Sequence, residues 1–216
     1  MIREFGPIDV LFLVGAIRWT VLLTLAAFAG GALIGLLIAV MRVSNVLVLQ
    51  AIAVCFIQII QGTPLLVLLF VFFFVLPIFG LPVLPWIAAT AAFSIYAGAF
   101  LGEIWRGALQ SIPRTQWEAG GSLGLGFAEQ LRWIIIPQAV RIAIPPTVGF
   151  LVQLIKNTSL AATIGFVELT REGQMTTAAT FQPFTVYITV AFFYFLMCFP
   201  LSQWSRTLER KLHVAA

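Results

Sequence analysis

The residues able to do chemistry in this 216-residue chain fall into two groups. One is Glu118-Ala119-Gly120-Gly121-Ser122-Leu123-Gly124, in a polar stretch that runs on to Pro137 with Arg106, Arg114, Arg132 and Arg141 around it. The other is Gln153, Lys156, Asn157, Thr158 and Ser159, set in apolar sequence. Neither is a catalytic constellation. Cys55 and Cys198 are far apart, lack CxxC spacing and have no histidine nearby, and the single histidine, His213, falls in the C-terminal tail. Neither a metal site nor a disulfide framework follows from that pattern. The glycine-rich run over residues 120–126 lacks the lysine of GxxxxGK[ST] that reaches a phosphate, so no Walker-type ATP site is expected. The chemistry that remains is non-covalent: docking a partner and passing a solute.

Each group has its own logic. A lysine and an amide at membrane depth are costly unless they face a wet cavity or a partner. Positions 149, 153, 156, 157 and 160 share one face by the i, i+3, i+4 rule. The residues from Gln153 to Ser159 therefore read as the lining of a translocation path. Hydrogen bonds between packed helices, with Lys156 reaching outward, are the alternative. The first group sits in a polar loop over about residues 107–141, unusually long for a compact fold without a function of its own. We expect a short helix across one face of the membrane. Trp117, Ala119, Leu123 and Leu125 would give it apolar contacts, and Glu118 near its start would be favoured by the helix dipole. Gly124 would allow a turn or close approach, and Gly120 costs about 1 kcal/mol or less relative to alanine. A chain built mostly for lipid keeps such an insert to meet a soluble partner.

The elements that must position these residues follow from composition. Hydrophobic residues make up 61% and charged residues 9%, with mean hydropathy +1.06. Soluble domains carry about 25% charged residues, so this chain cannot cover a water-facing surface. It reads as an all-α, polytopic membrane protein, with six Trp and three Tyr as interfacial anchors. The basic residues lie at span ends, which explains a net charge of +4 without nucleic acid. At about 20 apolar residues per crossing, five spans fit, over about residues 19–41, 57–77, 86–105, 143–167 and 183–204.

Local signals set their ends. Gly62-Thr63-Pro64 interrupts the block from 46 to 75, leaving a short helix with Gln50, Gln58 and Gln61, and a new helix that Thr63 would cap. Pro145-Pro146 would start the fourth span. Gly31-xxx-Gly35 and Gly98-xxx-Gly102 offer small-residue faces for close helix approach, although glycine is common in membrane helices generally. Glu103 and Arg106 are spaced to pair at i, i+3. Residues 168–182 are polar. With the 42–46 turn, the long loop and the tail inside, eight basic residues (Arg42, Arg106, Arg114, Arg132, Arg141, Arg206, Arg210, Lys211) face three outside (Arg3, Arg18, Arg171). That asymmetry places the N-terminus outside and the C-terminus in the cytoplasm. The N-terminus lacks a short apolar core with a small-residue cleavage site, so the first span is expected to stay as its own anchor.

Four segments carry a family resemblance. Gln61-Gly62-Thr63-Pro64-Leu65-Leu66-Val67 resembles an RGTPLLV motif, and Glu103-Ile104-Trp105-Arg106-Gly107 through Ser111-Ile112-Pro113 resembles E-I-x-R-G-x-x-x-S-I-P. Glu118-Ala119 with Ser122-Leu123-Gly124 and Pro137-Gln138-Ala139-Val140-Arg141 resembles the EAA loop, and Leu154-Ile155-Lys156-Asn157-Thr158-Ser159-Leu160 resembles L-x-K-D-T-S-L. All four belong to the permease subunits of polar amino acid ABC importers. The resemblance implies a type I ABC importer permease fold of five spans in a bacterial inner membrane, paired with a second permease as a homodimer or heterodimer. It implies ATP-binding cassette subunits, which carry the ATP and magnesium, and an extracytoplasmic amino acid binding protein. It assigns ATPase coupling to Glu118, Ala119, Gly120, Ser122, Leu123, Gly124 and Pro137. The chain departs from the pattern at Gly120, where relatives have alanine, and at Gln58 and Gln61, where they often carry charge. Asn157 replaces an acid that would pair with a cationic substrate, so acidic or neutral polar amino acids are favoured. An opine or a sulfur amino acid is a neighbouring possibility. An ion-gradient-driven carrier is the rival class; it would need intramembrane acids or broken helices, and the expected span centres contain no Asp or Glu.

Overall fold

The computed structural model describes residues 4–44 and 46–213; Arg3, Asn45 and Ala216 lie outside them. The described residues form helices α1 (Pro7–Val43), α2 (Leu47–Gly62), α3 (Leu65–Phe70), α4 (Pro85–Gln110), α5 (Arg114–Ser122), α6 (Phe127–Gln130), α7 (Ile136–Asn157), α8 (Leu169–Thr180) and α9 (Pro183–His213), with no strand among them. Four helical runs are long and apolar enough to cross a bilayer. A fifth crossing exists if α2 and the run Leu65–Phe79, which meet at 100°, count as one.

α1 starts about three turns earlier than hydropathy places it. The helix takes in Arg18, whose exposed guanidinium lies over the Trp19 ring (5.5 Å), which softens the charge. Pro7 in the first turn and the Asp9 carboxylate, accepting from the Gly6 N–H (3.0 Å), begin the helix. At 37 residues, α1 spans about 55 Å, well beyond a hydrocarbon core of about 30 Å.

α4 is the buried centre of the bundle, against α1, α2, α3 and α7. Its contact with α1 resolves the question of the two glycine pairs, because they face each other. A Cβ on Gly31 would sit 2.4 Å from the Ala97 Cβ, and one on Gly98 would sit 2.4 Å from the Ile34 Cγ2. Between helices that gain nothing from hydrophobic expulsion in lipid, such close backbone contact supplies the packing.

Two expectations about helix ends need correction. Thr63 does not cap α3; its hydroxyl donates back to the Ile59 carbonyl (2.7 Å) and closes α2, while Pro64 forms the α3 N-cap. Pro145 and Pro146 lie inside α7, not at its start. The Pro145 carbonyl accepts from the Ser205 hydroxyl of α9 (2.9 Å), which ties the two helices together beside the prolines. The polar stretch after residue 168 is the helix α8.

Pro77 and Pro137 each follow a π turn, at Val71–Val75 and Leu131–Ile135. A helix-interior proline clashes with the carbonyl four residues back. Shifting the preceding turn to i→i−5 bonds (Leu76 N–H to Val71 O, Ile136 N–H to Leu131 O) relieves that clash. Pro137 is thereby built into one helical run, Phe127–Ile164, and does not end a loop.

Candidate functional site

The first group of residues lies on and just after α5, a two-faced helix. Trp117 and the buried Gly120 face inward. Trp117 packs with Leu109, Leu131 and Ile134 around Ile112, Ile135 and Ala139, and stacks on Phe127 (5.6 Å, 16°). A Cβ on Gly120 would sit 2.9 Å from the Gln130 Cγ and 3.0 Å from the Ile134 Cδ1. Glycine there lets α5 close onto the α6–α7 run, which offsets its low helix propensity. Glu118, Ala119, Ser122, Leu123 and Gly124 are exposed. Ala119 and Leu123 therefore do not supply the inward contacts expected of them. Glu118 is the fifth residue of α5, past the first turn, so the helix-dipole reason for an acid there does not hold.

The helix ends as local sequence predicts. Gly124 has φ +77°, its N–H bonds the Gly121 carbonyl (2.9 Å), and the Leu125 N–H bonds the Gly120 carbonyl (3.2 Å). This is a Schellman closure with glycine at the left-handed position. A Cβ at Gly124 would meet nothing within 4 Å, so the glycine is required by the turn and not by a close approach. Beside the turn, Leu123 is 77% exposed and Phe127 61% exposed. Two large apolar side chains therefore stand exposed among polar neighbours on this helix–turn.

The second group lies at the far end of α7, and the structure splits it. Gln153 and Lys156 are exposed, and Asn157 is half-buried at the helix end. The chain then tightens into a 3-10 segment, Thr158–Ile164, so residue 160 leaves the α-helical face that includes 153 and 157. Thr158 is fully buried, with its hydroxyl donating to the Ile155 carbonyl (2.6 Å); it belongs to the core and not to an open path. The Ser159 hydroxyl bonds the Lys156 carbonyl (2.7 Å). No carboxylate among the described residues pairs with Lys156.

Tyr96 on α4 was not legible as a site residue. Its side chain lies beside those of Asn157 and Gln153, and its ring packs in a cluster with Phe100 (4.6 Å) and Phe150 (6.2 Å). The result is an aromatic wall edged by a phenol and two amides, with the exposed Lys156 one residue from Asn157 along the chain. The wall can hold a polar group.

Glu168, between α7 and α8, was also missed as anything beyond a polar-segment residue. It is 0% exposed and caps α8, accepting from the Arg171 N–H (2.9 Å), the Tyr194 hydroxyl (2.7 Å) and the Thr20 hydroxyl (3.5 Å). One carboxylate thus ties α1, α8 and α9. Burial pushes its pKa above the usual carboxylate value, against hydrogen bonds from the Thr170 and Arg171 backbone and from Tyr194. A raised folded-state pKa means the stability it contributes is fully present below the unfolded value of about 4.5 and is lost as pH rises through the raised value. Thermal unfolding of the purified protein is expected to move to higher temperature as the pH falls from neutral toward that range. Glu168→Gln should flatten this trend, and an unchanged pH slope in the variant would contradict the assignment.

Comparison with known proteins follows the same lines. A family model described as the binding-protein-dependent transport system inner membrane component matches residues 31–214. The chain is 39% identical over 211 residues to the L-cystine transport system permease TcyB of Bacillus subtilis, covering 97% of this chain and 88% of that one. It is 36% identical over 204 residues to the glutamine transport system permease GlnP of Escherichia coli K12, covering 94% and 93%. Among solved structures, an amino acid ABC transporter crystallised with histidines superposes with a TM-score of 0.88 at 32% identity, covering 93% and 94%. The inward-facing MetNI methionine ABC transporter, at 19% identity and TM-score 0.75 over 94% and 99%, shares the fold.

Proposed function

The chain belongs to the family of binding-protein-dependent transport system inner membrane components, and on that basis we propose that it is the permease of an ATP-driven importer of acidic or neutral polar amino acids. Its part is transport, without enzymatic chemistry of its own. The α2–α3 break is a feature that ion-coupled carriers also use. Family membership, and not an unbroken helix, sets that rival aside.

One observation carries the reading. α5 presents an exposed face while its buried face locks onto the start of α7, and the far end of α7 bears Gln153, Lys156 and Asn157. An ATP-binding cassette subunit seated on Glu118, Ala119, Ser122, Leu123 and Gly124 would move α5. The Phe127–Ile164 run, with Gly120 of α5 packed against its near end and Pro137 built into it, would transmit that motion to the polar cluster. Two copies, or this chain and a related permease, would enclose the path, and an extracytoplasmic binding protein would deliver the solute. Relatives named for glutamine and cystine support a polar amino acid, and an amide at position 157 with an unpaired Lys156 favours one without a cationic side chain.

Two measurements test this. In proteoliposomes holding the full transporter, glutamate and glutamine are expected to compete for uptake better than arginine and lysine; the reverse order would overturn the substrate class. For orientation, a reporter inserted near Thr115 is expected to behave as cytoplasmic and one near Thr177 as external. A cytoplasmic signal at Thr177 would refute five crossings with the N-terminus outside.

A further inference from the structure

A groove of about 730 Å³ runs between the C-terminal ends of α1 and α4 and the first half of α7. Leu36, Val40, Val43, Leu109, Val140 and Ile144 form most of its wall. Its two hydroxyl groups are already engaged: the Thr147 Oγ1 accepts from the Trp105 indole N–H (3.0 Å), and the Ser44 hydroxyl donates to the Met41 carbonyl (2.8 Å). Beyond these two hydroxyl groups and that indole N–H, the lining offers an amino acid no polar side-chain partner, although the groove's size is within the range of about 300–1,000 Å³ found for ligand pockets. Only a hydrocarbon group fits that lining.

The rim differs from the floor. Arg42, Arg132 and Arg141 each stand one position from a lining residue, Val43, Leu131 and Val140. Arg132 and Arg141 are exposed, while the Arg42 Nε is buried without a hydrogen-bond partner. The Glu103 carboxylate, within electrostatic range of Arg42, is committed to Arg106. An apolar slot with three arginines next to its lining residues in the chain, the Arg132 guanidinium lying over the Trp133 ring (5.1 Å), suits a chain with an anionic head. A second copy seated on this face about a twofold axis would set three arginines against three, which like-charge repulsion opposes.

We propose that this groove binds one acyl chain of an anionic phospholipid of the cytoplasmic leaflet, with Arg42 and its neighbours holding the headgroup. The leaflet rests on the orientation proposed above. Bound there, the lipid would brace the junction where the α5–α7 unit meets α1 and α4.

The test uses the complete transporter in vesicles with trace phosphatidylglycerol or phosphatidylcholine carrying a diazirine near the chain end. Irradiation is expected to label peptides from the end of α1 and the first half of α7 well above the lipid-facing Phe192–Phe199 stretch of α9, and phosphatidylglycerol should label more. Leu36→Trp should block the labelling; Leu36 is exposed, so this change fills the groove without touching the core. Arg42→Gln should leave chain labelling intact but lower the preference for phosphatidylglycerol by about fivefold, the effect of one arginine near an anionic surface. Labelling equal to that of α9, labelling unchanged in Leu36→Trp, or no headgroup preference in the unaltered chain would each overturn the proposal. So would a disulfide between two copies of Val140→Cys that replaces lipid labelling. The Thr115 reporter reads orientation independently, so failure of that reading is separable from failure of this one.

Discussion

Gly124→Trp is expected to reduce ATP-driven uptake by more than about tenfold, a loss of at least 1.4 kcal/mol of productive coupling, while the protein still inserts and accumulates. Two effects act at this position and can be separated. A side chain at φ +77° is strained by about 1–2 kcal/mol. A Cβ there meets nothing within 4 Å in this chain, so a side chain has open space beside the exposed Leu123, where a cassette subunit would sit. Gly124→Asn carries little bulk and tolerates the left-handed region. It should keep most of the uptake, so a large gap between the two variants would identify steric exclusion of the partner as the cause. Normal uptake and normal substrate-stimulated ATPase activity in Gly124→Trp would refute the coupling role of α5.

Lys156→Met is expected to have the other large effect. The change removes the ammonium but keeps an unbranched apolar stem. A charge-assisted hydrogen bond contributes about 1.5–3 kcal/mol, so losing one to a substrate carboxylate should raise KM for glutamate about tenfold or more. Glutamine should suffer less if the bond is to the side-chain carboxylate, and equally if it is to the α-carboxylate. Asn157→Asp probes the neighbouring position. A negative charge beside Tyr96 and Gln153 should depress glutamate uptake more than glutamine uptake. Unchanged kinetics in both variants would mean that the exposed end of α7 only packs against a partner, the alternative that sequence left open.

Composition was enough to make this an all-α membrane chain, because no packing arrangement lets 9% charged residues cover a water-facing surface. The α5 turn was equally legible, since Gly124 at the end of a short helix specifies its own closure through bonds three and five residues apart in sequence. The Glu103–Arg106 pair formed for the same reason: its partners are one helical turn apart.

What the sequence could not determine was which surfaces meet. Gly31 and Gly98 each offered a small face, but only the crossing of α1 with α4 made them partners. Thr158 looked like its polar neighbours until the 3-10 turn rotated it into the core, and Tyr96 joined the site from another helix. Glu168 became a buried tie only because Thr20 and Tyr194, 148 and 26 residues away, converge on it. Pro145 and Pro146 read as a helix start because proline suits a helix's first turn, and their own sequence context does not show that the Phe127–Ile164 run continues through them. Helix identity and turn chemistry rest on interactions within a few residues, which sequence spells out directly. Burial, pairing and the polar face depend on contacts between distant segments, and those exist only once the helices have chosen their crossings.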